Sequence, residues 1–562
     1  MTANRNTQSM VNGASSLSRG SGQGRSTNAE DGTATSIAKS RTSVSVANGD
    51  FAFKNLILIA LLTAFGFLVM GYHPGLEDDS FYLAAIKRHL NPSLFPHDAD
   101  YFRVQFQATI FDKLIAFSVR LTHLPVSWAT LLWQVLAIFF LLHGVWRIAR
   151  RCFANPTAHW GATALVAALL SMPIGGIAIN VADQYLHPRT LATAAILAAI
   201  VAVMDRRHWV AGLLLAFAFA VHAIQACFGI SFCLFLVWQM HGRKLTPFFT
   251  AAIVFGPLGW LFEPASDAWR KAAATRGFYF LGRWQWYEWL GVFAPLVLLF
   301  LLVRFLQMRV TKNDRSALPT VGSALLYYGA FQTLAGLIIM LPPSLERLRP
   351  FEPMRYLHLL YILFFLIAGG LVGEYVLRRK LYRWVLLFVP LSAGMFYAQR
   401  QMYPGSPHLE LPFVKSTNSW VQAFEWIRQN TPTDALFAID PHYETLPGED
   451  SHGFRGLAER SVLADYEKDA GMAARVPGLA PRWLKEVTAL DGWRSFKASD
   501  FESLNKDFGV TWFVFSRADG EFSDKQPDHL ECEYQNDEVK VCRYTDTRTT
   551  ALTLFPAHAN RP

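Results

Sequence analysis

The stretch "NLILIALLTAFGFLVMGYHPGLEDDSFY", residues 55–82, decides the fold class of this chain. Residues 55–72 carry no charged side chain, and a helix of this length approaches the roughly 20 residues that cross a bilayer core. Glu77, Asp78 and Asp79 follow almost at once. The stretch therefore predicts a membrane-spanning helix that ends beside an acidic segment. These acids either begin a second helix or belong to a functional site.

The composition of the whole chain also indicates a membrane protein. Of its 562 residues 52% are hydrophobic and 17% are charged, whereas soluble proteins carry about 25% charged residues. We predict a mainly α-helical, polytopic membrane protein of about eleven spans, with ten or twelve as alternatives. The predicted spans are 55–72, 125–146, 157–177, 188–204, 209–222, 225–240, 245–262, 288–303, 317–341, 354–373 and 384–399.

Basic residues predict the orientation. With residue 1 in the cytoplasm, Lys and Arg fill nearly half of the positions in the cytoplasmic connections. The opposite connections hold acids and histidines, which is the positive-inside pattern. The net charge of +9 therefore indicates membrane topology, and a nucleic-acid partner is not predicted. An odd number of spans places the C-terminus outside, in the periplasm of a bacterial inner-membrane protein. The cytoplasmic connections are 147–151, 205–208, 241–244, 304–315 and 378–383.

The two ends of the chain differ from its centre. Residues 1–50 are rich in Ser, Thr, Gly and Asn without aromatic residues, so they are predicted to be disordered. Residues 51–403 form the predicted membrane domain, and residues 404–562 form a small extracytoplasmic α/β domain. In that domain Cys532 and Cys542 stand on the two arms of a predicted hairpin. They are disulfide candidates, since an oxidising compartment permits the bond.

The first outer loop, residues 73–124, contains the acidic cluster. Asp78, Asp79 or Ser80 is suited to cap the helix that follows, and its dipole favours acids there. Capping explains one or two acids, yet Glu77 adds a third beside an apolar span, where charge is costly. We therefore expect a functional role for at least one of the three acids. His97, Asp98 and Asp100 are assigned to loop or accessory roles.

The second outer loop combines three kinds of polar side chain. Asp183, His187 and Arg189 stand where the loop enters the fourth span. A structural interpretation is that Pro188 begins the helix and Asp183 is solvated; a functional interpretation is a shared site. His222, at the outer end of the next span, is predicted to be a helix-end histidine, with an accessory role as the alternative.

A later outer loop, "PPSLERLRPFEPMRYLHLL", carries Arg347, Arg349 and Arg355 on the side where basic residues are disfavoured. These arginines either pair with Glu346 and Glu352 at the interface or bind phosphate, whose oxygens match the planar guanidinium.

Together these features resemble the GT-C class of membrane glycosyltransferases, which includes protein mannosyltransferases and the aminoarabinose transferase of lipid A. The resemblance covers residues 51 to about 550. The signature "WWDYG" of oligosaccharyltransferases is missing, so transfer to asparagine is not implied. The segments that carry the resemblance are "EDDSFY" (77–82), "DQYLHPR" (183–189), "RPFEPMRY" (349–356) and "WIRQNTPTDALFAIDP" (426–441).

The resemblance implies a sugar donor linked to polyprenyl phosphate and an extracytoplasmic acceptor hydroxyl, in an inverting transfer. Asp78 or Asp79, with Glu77 behind them, would accept the proton of the hydroxyl. Should a divalent cation such as Mg²⁺ or Mn²⁺ take part, Asp79 and Asp183 would supply oxygen ligands. The expected phosphate-binding residues are Arg355, Arg349, Arg347, His187 and Arg189.

Two other functions remain open on the sequence. A transporter or flippase of lipid-linked sugars would carry charges near the bilayer midplane in two related halves, whereas here the charges lie at one face. An inactive scaffold or sensor of the same fold would need only capping and interfacial roles for these residues. The criterion that separates them is geometric: an enzyme requires residues 77–79, 183–189 and 346–355 to meet at one cavity.

Overall fold

The structure is a computed structural model. It describes residues 53–241, 265–309, 316–445, 452–517 and 529–545. The predicted disordered segment 1–50 and the predicted span 245–262 lie outside the described residues.

Within the described ranges the chain is mainly helical, as predicted, and seven helices are long and apolar enough to cross a membrane. The remaining predicted spans in these ranges form shorter apolar helices, α6 (Pro156–Ala168), α7 (Pro188–Met204) and α8 (His208–Val221). The seven long helices are α1 (Phe53–Met70), α5 (Val126–Cys152), α9 (Ala223–Met240), α11 (Trp286–Arg309), α12 (Leu318–Met340), α13 (Tyr356–Leu371, within the apolar stretch Pro353–Leu377) and α14 (Leu381–Met402).

Small residues allow a close helix contact in this membrane region. A methyl group at Gly369 of α13 would lie 2.6 Å from the Gly161 carbonyl oxygen of α6. One at Gly161 would lie 2.5 Å from the Gly369 carbonyl oxygen. Helices approach this closely in membranes where glycine replaces a side chain. The two backbones therefore touch directly.

The predicted outer loop between α1 and α5 folds into three helices, α2 (Asp79–Leu90), α3 (Asp100–Ala108) and α4 (Phe111–Thr122). Before α2 the chain turns sharply through Gly75 (φ 87°) and Glu77 (φ 53°). Two short strands, β1 (Pro173–Ile174) and β2 (Ile179–Asn180), pair in the next outer connection. A further helix, α10 (Asp267–Ala274), precedes α11.

The C-terminal region contains a five-stranded mixed sheet in the order β4-β3-β5-β7-β6. Strands β3, β4 and β5 run parallel, and β7 is antiparallel to β5 and to β6. The strands are β3 (Leu436–Ile439), β4 (Ser461–Val462), β5 (Trp512–Ser516), β6 (Leu530–Gln535) and β7 (Val539–Tyr544). The helices are α15 (Ser419–Asn430), α16 (Phe454–Ala458), α17 (Lys468–Arg475), α18 (Ala480–Ala489) and α19 (Ala498–Phe508).

Both faces of this sheet are covered, so its central strands are apolar throughout. Phe437 packs with Phe424 of α15 on one face, while Phe513 packs with Phe501 of α19 on the other. Successive strand residues point to opposite faces, which explains why β3 and β5 do not alternate with polar residues. Asn418 caps α15 by accepting from the N–H groups of Trp420 and Val421. Cys532 and Cys542 form a disulfide between β6 and β7.

Buried polar contacts attach the C-terminal region to the first outer loop. Arg455 of α16 pairs with Asp98, and its guanidinium also donates to both oxygens of Asp469, at 3.0 and 2.9 Å. Glu410, in the connection to that region, accepts from His73 at 2.8 Å and from His452 at 3.1 Å. Burial opposes ionisation of Glu410, but the two imidazoles lower its pKa to about 2. Unpaired buried charges are costly, so these contacts fix one docking geometry.

Candidate functional site

A cavity of about 500 Å³ lies where the outer connections meet the C-terminal region. We call it the central cavity. Its charged lining comes from the first outer loop, the second outer loop, the segment after α10, the start of α13 and α17. The charged side chains are Glu77, Asp78, Asp183, Arg189, Arg276, Arg355, Glu467, Lys468 and Arg475. Residues from all three predicted loops therefore meet at one cavity, which satisfies the geometric criterion.

Glu77 and Asp78 face the central cavity from the turn before α2. Asp78 stands at the N-cap position of α2 but makes no capping hydrogen bond with its side chain, so capping does not account for it. Its carboxylate is 36% exposed and lies 3.8 Å from the Lys468 ammonium, which also pairs with Glu77. Burial would raise the pKa of Asp78, but Lys468 and the nearby arginines hold it well below its usual range. Asp78 is therefore an anion at neutral pH.

Asp79 has a different environment from its neighbour. Its side chain is buried, it is absent from the cavity lining, and Oδ2 accepts the Gly75 N–H at 2.7 Å. Burial raises the pKa of Asp79 to about 7, although that hydrogen bond opposes the shift. In this geometry Asp79 holds the turn that presents Glu77 and Asp78.

The second outer loop contributes one ion pair to the cavity wall. Arg189 donates to both oxygens of Asp183, at 2.6 and 2.7 Å, and both residues line the cavity. His187 caps α7, as its Nδ1 accepts the Arg189 N–H at 2.9 Å. His222 likewise caps α9 by accepting the Gln225 N–H at 3.1 Å. Neither histidine belongs to the cavity lining, so both serve as helix-end residues.

Two arginines share one buried carboxylate at the cavity edge. Glu352 accepts from Arg355 through Oε2 and from Arg475 of α17 through Oε1, the latter at 2.9 Å. Glu352 is only 3% exposed, so the pair of guanidinium groups is held by a fixed partner. One carboxylate between two guanidinium groups leaves excess positive charge, which suits an anionic ligand group.

The other predicted phosphate-binding arginines lie elsewhere. Arg349 donates to the Met340 carbonyl at 3.1 Å, and its guanidinium covers the Phe280 ring. Arg347 is also absent from the lining of the central cavity. Of the two acids predicted as interfacial partners, Glu346 pairs with Arg270, and Glu352 pairs with Arg355 and Arg475.

The predicted cation ligands, Asp79 and Asp183, do not form a shared site. Asp79 lies outside the cavity lining, and Asp183 already binds Arg189. In the described part of the chain no group of three or more His, Cys, Asp or Glu residues is arranged to hold a metal ion. Asp79 and Asp183 therefore do not fit a shared divalent cation site.

Sequence reasoning missed the contribution of the C-terminal region. Lys468 and Arg475 stand at the two ends of α17 and reach the acids and Glu352 of the membrane region. Lys468 lies 391 positions from Glu77 in the sequence, and Arg475 lies 123 positions from Glu352. A weak signal exists in the sequence of α17, KDAGMAAR, which has a basic residue at each end.

Comparisons with known families match two parts of the chain. A family model described as dolichyl-phosphate-mannose-protein mannosyltransferase matches residues 108–260. A model described as a domain of unknown function, DUF6798, matches residues 418–476, which include Lys468 and Arg475. No curated protein matches the chain. The first match supports the resemblance to GT-C glycosyltransferases and indicates a membrane glycosyltransferase of that kind.

Proposed function

We propose that the protein transfers a sugar from a polyprenyl-phosphate donor to a hydroxyl group of a cell-envelope acceptor outside the cytoplasm. One observation carries the proposal: an anionic carboxylate, Asp78, faces the same cavity as the guanidinium groups of Arg355 and Arg475. Sugar transfer from a lipid phosphate needs both, because positive charge develops on the sugar and negative charge on the departing phosphate. The first family match supports a lipid-linked donor for this chain.

The charges of the residues that line the central cavity suggest their roles in the transfer. The acceptor oxygen bonds to the anomeric carbon, and the bond from that carbon to the phosphate oxygen breaks with its electron pair. Asp78 orients the hydroxyl and takes its proton. A carboxylate with a depressed pKa is a weak base, but its negative charge also stabilises an oxocarbenium-like sugar. Arg355 and Arg475 receive the phosphate, and Lys468 holds Asp78 and Glu77 in place. A single displacement of this kind inverts the anomeric centre.

The experiment compares carboxamide variants in a strain that lacks the chromosomal gene. Envelope lipids, polysaccharides and glycoproteins are analysed by mass spectrometry after expression of wild type, Asp78→Asn, Asp79→Asn or Asp267→Asn at equal membrane levels. Asp78→Asn is expected to reduce the gene-dependent glycan by about 10²–10⁴-fold. Asp79→Asn retains an oxygen for the Gly75 N–H and is expected to keep most activity. Asp267, whose side chain is 94% exposed, is the surface control.

Two results would contradict the proposal. Glycans, lipids and glycoproteins that are the same with and without the gene would exclude the transfer. Full restoration of the gene-dependent glycan by Asp78→Asn would show that the protein is a transferase in which Asp78 has no catalytic role.

A further inference from the structure

A second cavity, of about 620 Å³, lies in the C-terminal region and has no role in the transfer described above. We call it the C-terminal cavity. Its volume falls within the roughly 300–1,000 Å³ of small-ligand sites. Polar and aromatic side chains share its lining, among them Lys271, Asp440, His442, Tyr466, Trp493 and Arg494.

The topology of the sheet places this cavity where α/β proteins bind ligands. The chain passes from β3 to β4 on one side of β3 and later to β5 on the other side. Ligands of open α/β sheets bind outside the carboxyl ends of the strands. Asp440, Pro441 and His442 follow β3 directly, and Tyr466 comes shortly after β4. All four residues line the C-terminal cavity.

The lining offers an aromatic face beside a hydrogen-bonding edge. The rings of His442 and Tyr466 lie 4.3 Å apart, and Tyr466 is 36% exposed. The Tyr466 N–H donates to the Pro441 carbonyl at 2.8 Å, which fixes the backbone of Tyr466 against the end of β3. A partly exposed, fixed aromatic ring gives apolar contact area at little cost in conformational entropy.

Asp440 supplies the polar edge. It is 5% exposed, its Oδ1 accepts the His442 N–H at 2.9 Å, and its Oδ2 lies 3.9 Å from Arg494 Nε. A carboxylate has about four lone-pair positions, so Asp440 can also accept from a ligand hydroxyl. A ligand with one apolar face and a rim of hydroxyl groups matches this surface, and a sugar ring has that shape.

The two cavities are neighbours. Ala274 lines the C-terminal cavity and Thr275 the central cavity; Tyr466 lines the former and Glu467 the latter. Consecutive Cα atoms are about 3.8 Å apart, so only the thickness of two chain segments separates the cavities. We infer that the C-terminal cavity binds saccharide units of the acceptor while the acceptor's reacting end occupies the central cavity. This inference rests on the proposed function.

The test measures saccharide binding and transfer separately, with the full-length protein in nanodiscs. The probes are maltotriose, chitotriose, mannotriose and the oligosaccharides released by mild acid from the envelope of the gene-deletion strain. Saturation-transfer NMR is expected to detect binding of at least one probe. Tyr466→Ala is expected to weaken this binding and to raise the acceptor KM at least tenfold with little change in kcat. Tyr466→Phe keeps the ring and is expected to bind and transfer like wild type, whereas Asp440→Asn is expected to weaken binding and raise the acceptor KM, as Tyr466→Ala does.

A variant of the central cavity separates this inference from the proposed function. Asp78→Asn is expected to bind the probe like wild type although its sugar transfer is about 10²–10⁴-fold lower. If the wild-type protein binds a probe but shows no transferase activity, the proposed function is overturned and the saccharide site is kept. Absence of binding by all four probes, or binding that Tyr466→Ala leaves unchanged, would overturn the saccharide site.

Discussion

Lys468 controls the charge of the proposed base. Its ammonium contacts Glu77 and stands 3.8 Å from Asp78, so its removal raises the pKa of Asp78. We predict that Lys468→Met moves the acid limb of the pH–rate profile upward by roughly one unit or more. The sign follows because the reaction uses ionised Asp78, which is present only above its pKa. Initial rates are measured between pH 2 and 8 on extracted lipid-linked sugar and envelope acceptor, because the pKa of Asp78 lies well below the usual range of an aspartate.

Lys485→Met is the matched control for this experiment. Lys485 lies on α18 with its ammonium 4.9 Å from the centre of the Phe508 ring, away from the central cavity. Its replacement is expected to leave the acid limb in place. A loss of rate in Lys468→Met at an unchanged acid limb would show that Lys468 acts only in binding and that Asp78 does not titrate in the reaction.

At the residue scale the sequence predicted which types of side chain meet, but it did not predict the separate role of each. Adjacent residues Asp78 and Asp79 look equivalent in sequence, yet one faces the cavity and the other bonds to the Gly75 N–H. The difference arises from a turn with positive φ at Gly75 and Glu77. Local patterns do not specify that turn, because Glu disfavours this backbone region and tertiary contacts impose it.

The contact of α6 with α13 is the clearest element-scale determinant in the membrane region. We predict that Gly369→Ala lowers stability by about 1–3 kcal/mol, the typical cost of overpacking, since the new methyl group would lie 2.6 Å from the Gly161 carbonyl oxygen. The midpoint of thermal unfolding in detergent measures the effect.

Gly394→Ala in α14 is the control for this helix contact. A methyl group there meets no atom within 4 Å, so the substitution is expected to be neutral or to stabilise by up to about 1 kcal/mol through helix propensity. Equal effects of the two substitutions would mean that helix propensity, rather than the contact with α6, determines the response.

Elements were predictable where a repeating pattern defines them. Apolar length identified α1, α5 and α9. The contacts between elements were not predictable, because Asp98 pairs with Arg455 and Glu410 joins His73 to His452 across long stretches of sequence. Such pairs carry no periodic signal, and Asp98 was assigned to a loop role on that account.

At the scale of the whole molecule, contacts sort the predicted connections into two groups. Arg151 at the end of α5 pairs with Asp205 at the end of α7 at 2.6 Å. The Ala317 N–H before α12 donates to the Arg151 carbonyl at 3.0 Å. Basic connections predicted to be cytoplasmic therefore meet one another. The acidic connections meet instead at the central cavity, beside the C-terminal region.

This sorting gives a testable topology. We predict that alkaline phosphatase fused after Pro404 is active and that green fluorescent protein fused there is dark, since this point belongs to the acidic group. Fusions after Arg151 and after Lys380 are expected to give the opposite result, because both points lie in basic connections. Alkylation of intact cells provides a second measurement: Cys532 and Cys542 should react only after reduction, as expected for a disulfide in an oxidising compartment. Active phosphatase after Arg151 together with inactive phosphatase after Pro404 would show that the orientation in the membrane is the opposite of the predicted one. The central cavity would then lie on the cytoplasmic side of the membrane.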